Sequence, residues 1–473
     1  MVGVPRSSGC ATCVKRRVKC DERVPGCAKC EKYGTLCPGY DRGFKFIAGK
    51  PYRTRRRQAD TQETQSNRKR SETSSLAPSS NTQVATQMAL QWQRPASLVS
   101  SQLNVLQSLG ILIDDFSQPQ PMTQKHVVSH WFNYLPSVYG HSRTLDATIR
   151  SFAANHFGTV LQNHQMIAYA RSSYGEALRR LRKSLESPSE SLSTHVFCAV
   201  VLLCMYELFA DVETPDSWMK HAKGLGQLVK IRGPERYRNE LDIVLLKASR
   251  GLIVMHSMFS GEDCFLAAEE WHHMMLQQYT ANVPPELHNC IEQFFAYFTY
   301  SPSLVHKLYR LKEIDISTPE AFQLISAALA QALDLQAKMA VWYKQYSQIT
   351  PQPVENPSNK DDPVFPIILT YSDMIDAAIY TGYYAFMVII HEVLKTLSYP
   401  GPHAEMVVYF RDQICKSVEF SCAGILGPYR MGFPLRVAIE VADPDTKSWI
   451  LARLEEFSKI YAASRPENFQ TAL

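Results

Sequence analysis

The sequence contains no run of eighteen uninterrupted apolar residues, which is about the length that a helix needs to cross a bilayer. Its first ten residues also lack the apolar segment of a signal peptide. No P-loop, nucleophile elbow or dinucleotide-binding fingerprint occurs in the chain. We therefore expect a chain that is not secreted, has no membrane partner, contains no catalytic residues and is not an enzyme.

Charge is distributed unevenly along the 473 residues. The first 70 residues contain 18 Lys and Arg against 6 Asp and Glu, whereas the whole chain contains 50 against 45. A strongly basic N-terminal segment therefore precedes a mildly acidic body. This asymmetry indicates that the N-terminal segment binds a polyanion.

Half of the twelve cysteines lie close together and follow a repeated spacing. The pattern is Cys10-x2-Cys13-x6-Cys20-x6-Cys27-x2-Cys30-x6-Cys37. Each C-x2-C pair places two thiolates on one side of a turn, where a tetrahedral cation can bind both. Six thiolates hold two zinc ions if two sulfurs bridge, and thiolates are the soft ligands that suit zinc. The alternative is a set of redox cysteines or disulfides, which the missing signal peptide disfavours.

The segment of 37 residues that contains these cysteines is too short to fold around its own apolar core. Metal binding must then drive its folding, with a contribution on the order of 10–16 kcal/mol for structural zinc. No histidine precedes His126, so the spacing does not fit RING or LIM modules, which usually include a histidine ligand.

The stretch CATCVKRRVKCDERVPGCAKCEKYGTLCPGY resembles the fungal binuclear zinc cluster family and matches its cysteine spacing without a gap. The resemblance implies two Zn(2+) ions and a family proline at Pro25, in the loop between the two halves. The implied ligand set is Cys10 and Cys27 as bridges, Cys13 and Cys20 for one zinc, and Cys30 and Cys37 for the other.

The resemblance also implies the residues that read DNA. Arg16 and Arg17 occupy the positions that the family uses to read CGG-like triplets, and a short helix beginning near Ala11 would point them outward. Arginine binds guanine O6 and N7 with two hydrogen bonds. Lys19 matches a phosphate contact of the family, and Lys15 belongs to the same basic hexapeptide. The chain departs from the family at Val14, where Arg or Lys is usual, so one phosphate contact is missing.

Two basic blocks follow the cysteine cluster, and they are made of Arg53, Arg55, Arg56 and Arg57, and then of Arg68, Lys69 and Arg70. Because they flank a DNA-binding module, we interpret them as nuclear localisation signals or additional phosphate contacts. The alternative is a charge run that only increases solubility. The favoured interpretation predicts a nuclear protein.

The sequence divides into three regions: residues 1–45, which the resemblance makes a DNA-binding domain, a flexible linker over 46–120, and an all-helical domain over 121–473 that a second resemblance, given below, makes regulatory. The linker is basic at first, then rich in Gln, Ser and Thr, and it cannot bury enough apolar surface to order itself. It ends with a segment that could form a short helix. The best coiled-coil register in that segment consists of Val99, Leu103, Leu106, Gly110 and Ile113. The register is too short for a coiled coil, so we expect this helix to dock onto the body.

The body is expected to be all-helical. One helix has an apolar face made of Ile167, Ala170, Tyr174, Ala177, Leu178, Leu181 and Leu185. Another begins at the N-cap Thr318 and has an apolar set that includes Phe322, Ile325, Leu329 and Leu333. Segment Pro351–Pro366 is rich in Pro, Asn and Asp and predicts a surface loop. Segment Ile367–Leu394 predicts a buried core helix or helix pair.

Residues 195–235 resemble the fungal-specific transcription factor domain, which follows zinc clusters in many regulators. The matching positions are Val200 to Leu208, Trp218, His221, Gly224, Leu228, Arg232, Gly233 and Pro234. The resemblance covers roughly residues 125–460 and implies a regulatory helical scaffold. A homodimer through this domain, and contacts with the transcription machinery or a corepressor, are the expected protein partnerships.

No sequence motif indicates that the helical body is an enzyme. His126 and His130 lie four residues apart, but Val127 stands where a zincin needs glutamate. The segment Trp271-His272-His273 could bind a metal ion, but no carboxylate or cysteine follows a spacing that would complete such a site. The remaining cysteines lie on apolar segments, so we interpret them as small core residues. They are Cys198, Cys204, Cys264, Cys290, Cys415 and Cys422. A substrate-sized pocket with converging titratable groups would revive the enzymatic hypothesis.

Two function hypotheses remain after this comparison of motifs. The first is a sequence-specific regulator of genes transcribed by RNA polymerase II that reads CGG-like triplets and controls a fungal metabolic or secondary-metabolite pathway. The second is a zinc-dependent nuclear adapter that binds proteins. The basic side chains of Arg16 and Arg17 favour the first, because an adapter has no need of them.

Overall fold

The computed structural model describes three stretches of the chain: 10–37 without 22, 24, 25 and 36; 98–117; and 130–470 without 211–216, 278–283 and 316. The chain divides between Ser75 and Leu76 into two compact units. The two basic blocks and most of the predicted 46–120 linker lie outside the described residues. Pro25 and His126 also lie outside them.

The described part of the first unit contains two short helices, α1 (Ala11–Lys15) and α2 (Ala28–Lys32). The Ala28 amide at the start of α2 donates to Asp21 Oδ2 over 3.2 Å. The buried cluster of this unit consists of Cys10, Cys13, Cys27 and Cys30, with Cys20 and Cys37 packed against it. The described part of this unit therefore has sulfur in place of an apolar core, as expected for a fold stabilised by metal.

The second unit is mostly helical, as the sequence predicts. Its helices are α3 (Leu98–Ser117), α4 (Leu135–Val138), α5 (Arg143–Val160), α6 (His164–Glu186), α7 (Thr194–Phe209), α8 (Ser217–Arg232), α9 (Glu240–Ser260), α10 (Glu269–Gln277), α11 (Pro285–Phe298), α12 (Ser301–Glu313), α13 (Pro319–Ile349), α14 (Met374–Thr396), α15 (His403–Ser421), α16 (Gly427–Glu440), α17 (Pro444–Ser458) and α18 (Glu467–Gln470). Four 3-10 turns are described: His130–Tyr134, Pro234–Arg236, Phe265–Ala267 and Ala462–Ser464.

Side-chain N-caps explain why several of these helices begin where they do. Ser193 caps α7, Asn239 caps α9 and Asp373 caps α14. The predicted cap at Thr318 is confirmed, because its hydroxyl accepts from the Ala321 amide over 3.2 Å at the start of α13. Each cap satisfies a backbone N–H that has no partner inside its helix.

The core is built around helices of which most of the surface is buried. By length and composition α9 and α14 could each cross a bilayer, but 67% and 83% of their apolar windows are buried inside the unit. Helix α7 is likewise buried from Val196 to Leu208. Such uniform burial is typical of central helices in a large helical domain. The prediction of a buried helix in the segment ending at Leu394 is confirmed by α14.

A small hairpin corrects two sequence predictions. Strand β1 (Val354–Pro357) lies inside the predicted loop, and it pairs antiparallel with β2 (Ile367–Thr370) from the predicted core helix. The register pairs Val354 with Thr370. The Ser358 hydroxyl and the Asn359 amide after β1 bind the Glu419 carboxylate. Pro, Asn and Asp indicated a turn, but β1 carries no alternating apolar pattern that would have predicted a strand.

Of the two buried helix faces predicted from apolar spacing, the one on α6 is largely confirmed and the one on α13 is wrong. On α6, Ala170, Ala177 and Leu181 are buried as predicted, whereas Leu185 is exposed at the helix end. On α13 the predicted face is rotated, because the Phe322 side chain is 72% exposed. The buried residues of α13 are Ala321, Leu324, Ala328, Ala332, Leu335, Met339, Trp342 and Tyr346. Three of these eight residues are alanines, which a search for large apolar residues overlooks, so the sequence pattern misplaced the buried face in the first turns of the helix.

Helix α3 docks onto the body of its unit, as expected. Leu109 and Leu112 are fully buried, and the carboxylate of Asp115 lies 2.8 Å from His156 Nε2. The Phe116 ring lies 4.9 Å from the Phe132 ring. Leu106, part of the best coiled-coil register, is instead exposed. The docked face therefore differs from the one that a coiled coil would use.

Candidate metal centre and nucleic-acid interface

Six cysteine sulfurs meet in two overlapping groups of four. One group consists of Cys10, Cys13, Cys20 and Cys27, and the other of Cys10, Cys27, Cys30 and Cys37. Within each group all sulfurs lie within 4.8 Å of one another. The sulfurs of Cys10 and Cys27 are common to both groups. An arrangement of this kind gives each of two cations four sulfur ligands from six side chains.

The separations between the sulfurs fit tetrahedral zinc. The Cys10 and Cys27 sulfurs are 3.7 Å apart. The Cys10–Cys30 and Cys13–Cys27 sulfur pairs are each 3.6 Å apart. A tetrahedron with Zn–S bonds of about 2.3 Å has edges of about 3.8 Å. The six residues therefore fit a pair of zinc ions in both the chemistry of the donors and their spacing.

The two halves of the cluster repeat one local structure. In each half the first cysteine of a C-x2-C pair precedes a short helix, and its sulfur accepts a backbone amide of that helix. The Cys13 amide donates to the Cys10 sulfur over 3.5 Å, and the Cys30 amide donates to the Cys27 sulfur over 3.3 Å. These donors stabilise negative charge on the two shared sulfurs.

The pKa of the Cys13 thiol is raised to about 12, first by burial and then by the neighbouring sulfurs of Cys10 and Cys20, which together outweigh a lowering by Cys27. Burial likewise raises the pKa of Cys30. Crowded, buried thiolates are unfavourable without a compensating cation. When zinc is bound, it supplies that positive charge and replaces the protons of the thiols.

The basic residues singled out from the sequence surround the end of α1. Lys15 ends the helix, and Arg16, Arg17 and Lys19 follow it, all with exposed side chains. The Arg16 amide donates to the Thr12 carbonyl over 3.0 Å. The structure thus groups the four candidate DNA-binding residues on one short, solvent-facing segment.

Arg17 holds the turn in an unusual backbone conformation, with φ of 54°. The Val18 amide bonds back to the Cys13 carbonyl over 3.0 Å and so closes the end of α1. Glycine usually occupies this left-handed position at a helix end. A non-glycine residue in this conformation incurs about 1–2 kcal/mol, which the surrounding structure must offset.

Tyr33 completes this surface, and the sequence analysis overlooked it. The Arg16 guanidinium carbon lies 3.4 Å from the centre of the Tyr33 ring, which is 57% exposed. Tyr33 follows α2 directly and comes three residues after Cys30. The sequence signal for Tyr33 was an aromatic residue three positions after Cys30. Only the folded cluster places that residue beside Arg16.

A second contact connects the segment between the two helices with α2. The Arg23 guanidinium binds the Glu31 carboxylate, and Arg23 Nε donates to the Gly26 carbonyl over 3.4 Å. Both side chains are exposed, so the ion pair contributes little free energy. Its effect is to restrict the conformation of the connecting segment.

Candidate metal or catalytic residues of the body are used in packing. In the described part of the chain, both groups of side chains that could hold a metal ion come from the N-terminal cysteines. His272 Nε2 lies 3.2 Å from the Thr299 hydroxyl, and Trp271 is buried. Cys198, Cys204, Cys264, Cys290 and Cys415 are buried and Cys422 is half-buried, as predicted. Burial raises the pKa of Cys264 to about 11, so these thiols are unreactive core residues.

Comparison with known proteins gives two family matches. Residues 8–45 match the Fungal Zn(2)-Cys(6) binuclear cluster domain. Residues 122–473, well over half of the chain, match the Fungal specific transcription factor domain. No solved structure matches the chain.

Three relatives match parts of the chain. An uncharacterized protein of Emericella nidulans is 26% identical over 150 residues, which is 32% of each chain. White-opaque regulator 2 of Candida albicans is 58% identical over 33 residues, or 7% of each chain. The Aspercryptin biosynthesis cluster-specific transcription regulator atnN of Emericella nidulans is 49% identical over 47 residues, or 8% of each chain. The matches therefore span about a third or less of the relatives' lengths.

The cysteine geometry and the two family matches lead to the same conclusion. The six-cysteine cluster binds two zinc ions and serves DNA binding, and the domains are those of transcription factors and not of an enzyme family. The chain belongs to the fungal specific transcription factor family whose members carry a Zn(2)-Cys(6) binuclear cluster.

Proposed function

We propose that this protein is a sequence-specific regulator of genes transcribed by RNA polymerase II and that it reads CGG-like triplets. The observation that carries the proposal is the exposed basic segment after α1, held directly against the six-sulfur cluster. Arg16 and Arg17 bind guanine edges in the major groove, where a bidentate contact discriminates against a wrong base by about 1–3 kcal/mol.

Individual roles within the cluster follow from its connectivity. Cys10 and Cys27 bridge the two zinc ions, because their sulfurs belong to both four-sulfur groups. The remaining ligands are Cys13 and Cys20 for one zinc and Cys30 and Cys37 for the other. Lys15 and Lys19 contact phosphates on either side of the base-reading arginines, which sets the register of the module on DNA.

The rest of the chain has supporting roles. Residues 1–45 form the DNA-binding domain, 46–120 the linker that gives it reach, and 121–473 the regulatory domain. The basic blocks from Arg53 to Arg57 and from Arg68 to Arg70 direct the protein to the nucleus. Homodimerisation through the regulatory domain and a contact with the transcription machinery or a corepressor complete the assembly.

The regulated genes belong to a fungal metabolic or secondary-metabolite pathway. The support for this choice is the matching segment of the Aspercryptin cluster regulator, which is 49% identical over 47 residues. A segment of that length covers little beyond one small domain. Transcript profiling of a deletion strain tests this choice separately from DNA reading.

The alternative function is a zinc-dependent nuclear adapter that binds protein through its cluster. An adapter requires the six cysteines but gives no role to exposed arginines at the end of α1. The stacking of Arg16 on Tyr33 keeps the guanidinium at the surface, where it faces solvent and is available to DNA. We therefore favour the DNA reader.

In vitro selection from random duplex DNA tests the proposal with the zinc-loaded full chain. We expect enrichment of CGG-like triplets with the natural sequence. The variant Arg16→Ala/Arg17→Ala should lose this enrichment while its zinc content stays at two ions per chain. A matched control, Lys29→Ala/Lys32→Ala, changes two exposed basic residues of α2 and should keep the same consensus. Selection of one consensus by all three proteins would refute the base-reading assignment, and no enrichment by the zinc-loaded natural chain would favour the adapter.

A further inference from the structure

Helices α5 and α6 of the body form an antiparallel pair. The Thr144 hydroxyl at the start of α5 lies 2.9 Å from the Ser184 hydroxyl at the end of α6. Farther along the pair, the Ser151 hydroxyl donates to the Ala170 carbonyl over 3.0 Å. These contacts hold the two helices side by side, so the side chains that point away from the contact share one surface.

The charge of this helix pair is opposite to that of the body as a whole. Segment 143–186 contains seven basic residues against the three acidic residues Asp146, Glu176 and Glu186, which gives a net charge of +4. The chain after residue 70 contains more acidic than basic residues. All seven basic side chains of the segment are exposed or half-buried. A local excess of positive charge on an acidic domain attracts an anionic partner.

Two of the carboxylates are paired within α6. Glu176 Oε1 accepts from Arg180 Nε over 2.8 Å. Glu186 Oε1 lies 3.0 Å from Arg182 Nε. The five basic residues outside these two ion pairs are named here the basic face: Arg143, Arg150, Arg171, Arg179 and Lys183.

The surroundings of Glu176 show that both helices contribute to this surface. The pKa of Glu176 is lowered, first by the hydrogen bond from Arg180 and then by the charges of Arg180, Arg150 and Arg179, which outweigh desolvation. Arg150 belongs to α5 and Arg179 to α6. Arginines from two helices therefore surround a single carboxylate, and the positive charge is in excess at that place.

Three residues of the basic face follow one line along α6. Arg171, Arg179 and Lys183 are separated by eight and four residues, which places them on the same side of the helix. All three are exposed. At a rise of 1.5 Å per residue this line is about 18 Å long. Each strand of duplex DNA carries a phosphate about every 3.4 Å along the axis, so the line can span several phosphates.

Duplex DNA is the polyanion that the first unit of this chain already binds. Once the cluster is bound, the covalent connection raises the effective concentration of the body near the same duplex. The connection from Cys37 to Leu98 is long enough for this, since each residue adds up to about 3.5 Å. Arg and Lys side chains contact phosphates whatever the base sequence, so flanking DNA of any sequence is a suitable partner.

We propose that the basic face of α5 and α6 contacts the phosphates of the duplex beside the site that the zinc cluster reads. The contact is a second, sequence-independent DNA contact, made by the helical body. This proposal rests on the proposed DNA-reading function, because the cluster brings the body to the duplex. It adds affinity and salt dependence to binding without changing the consensus sequence.

Fluorescence anisotropy of the zinc-loaded full chain tests the proposal with two duplexes. The short duplex contains the selected site alone, and the long one adds about two helical turns of unrelated sequence on each side. We expect the natural chain to bind the long duplex more tightly than the short one. Arg171→Gln/Arg179→Gln/Lys183→Gln should lose about tenfold in affinity for the long duplex, and its slope of log affinity against log salt should become shallower by about 2–3. It should bind the short duplex as the natural chain does.

A matched variant controls for the loss of net charge. Arg310→Gln/Lys312→Gln/Lys344→Gln removes the same charge from exposed positions of α12 and α13 and should keep the affinity and slope of the natural chain. Equal slopes for the natural chain and the basic-face variant on the long duplex would overturn the proposal and favour an acidic protein as the partner of this surface. An equal loss in the control variant would also overturn it. Failure of the natural chain to bind the short duplex specifically would instead refute DNA reading and, with it, this proposal.

Discussion

The Arg16 guanidinium stacks on the Tyr33 ring at 3.4 Å, and this contact joins the end of α1 to the end of α2. Arg16 lies in the first half of the cysteine repeat and Tyr33 in the second, so only a formed cluster brings them together. A guanidinium that is already held at the surface loses less conformational entropy when it binds a base. We therefore expect Tyr33 to position Arg16 for DNA binding.

Loss of the Tyr33 ring should weaken DNA binding moderately. An exposed cation–π contact is worth about 0.5–1 kcal/mol, so Tyr33→Leu should lower affinity for a CGG-type duplex by about twofold to fivefold. Tyr33→Phe keeps the ring and should bind like the natural protein. Fluorescence anisotropy measures both, with zinc content as the control for folding. An equal loss in both variants would show that the hydroxyl, and not the stacked ring, matters.

Replacement of Arg17 by glycine should separate stability from DNA reading. Glycine adopts a positive φ without strain, whereas other residues incur about 1 kcal/mol. Arg17→Gly should therefore retain zinc at least as well as the natural protein during chelator titration. It should also lose about tenfold or more in affinity for the selected duplex, because a bidentate base contact is removed. Undiminished affinity of Arg17→Gly would remove Arg17 from the base-reading residues.

The cluster could be predicted from the sequence far better than the packing around it. Metal coordination dictates the cysteine spacing from Cys10 to Cys37. The positions of the cysteines in the sequence are therefore enough to predict the structure of the cluster. The Arg16–Tyr33 contact depends on how the two halves fold together, and no local pattern encodes it. In the body, α13 has apolar residues on more than one face, and only tertiary packing decides that Phe322 stays exposed.

Removal of zinc should unfold the first unit and spare the second. The described part of the first unit has a buried cluster made of cysteines, whereas the helical body has an extensive apolar core. A strong chelator should therefore abolish DNA binding but leave most of the helical circular dichroism signal and its thermal transition. Added zinc should restore binding. Loss of the main thermal transition on chelation would contradict this independence.

A cysteine comparison tests the ligand assignment directly. Cys27→Ser removes one of the two sulfurs common to both metal groups, so zinc binding should fall below two ions per chain. Cys198→Ser alters a fully buried cysteine of the body and should keep both ions. Metal analysis of the purified full-length variants gives the answer. Two zinc ions in Cys27→Ser would exclude the bridging role of Cys27.

A buried charge network in the body predicts how its stability depends on pH. The Glu292 carboxylate binds the Arg250 guanidinium and lies 3.2 Å from Lys247 Nζ, and all three side chains are at least 96% buried. Burial by itself raises the pKa of Glu292, but the charges of Arg250 and Lys247 outweigh it and hold the pKa below the ordinary value of 4.5. The carboxylate is thus stabilised in its charged form.

The sign of the pH effect follows from that lowered pKa. Stabilisation by Glu292 is fully present above pH 4.5, its ordinary value, and is lost as the pH falls through the lower value of the folded state. Glu292→Gln removes the buried carboxylate that Arg250 and Lys247 share and should reduce the free energy of unfolding at pH 7 by about 3–5 kcal/mol. Its stability should also fall less steeply than that of the natural protein below pH 4.5. Urea unfolding from pH 3 to 7 measures both effects, with Glu355→Gln in an exposed ion pair as the control. Parallel pH profiles for all three proteins would exclude Glu292 as the titrating group.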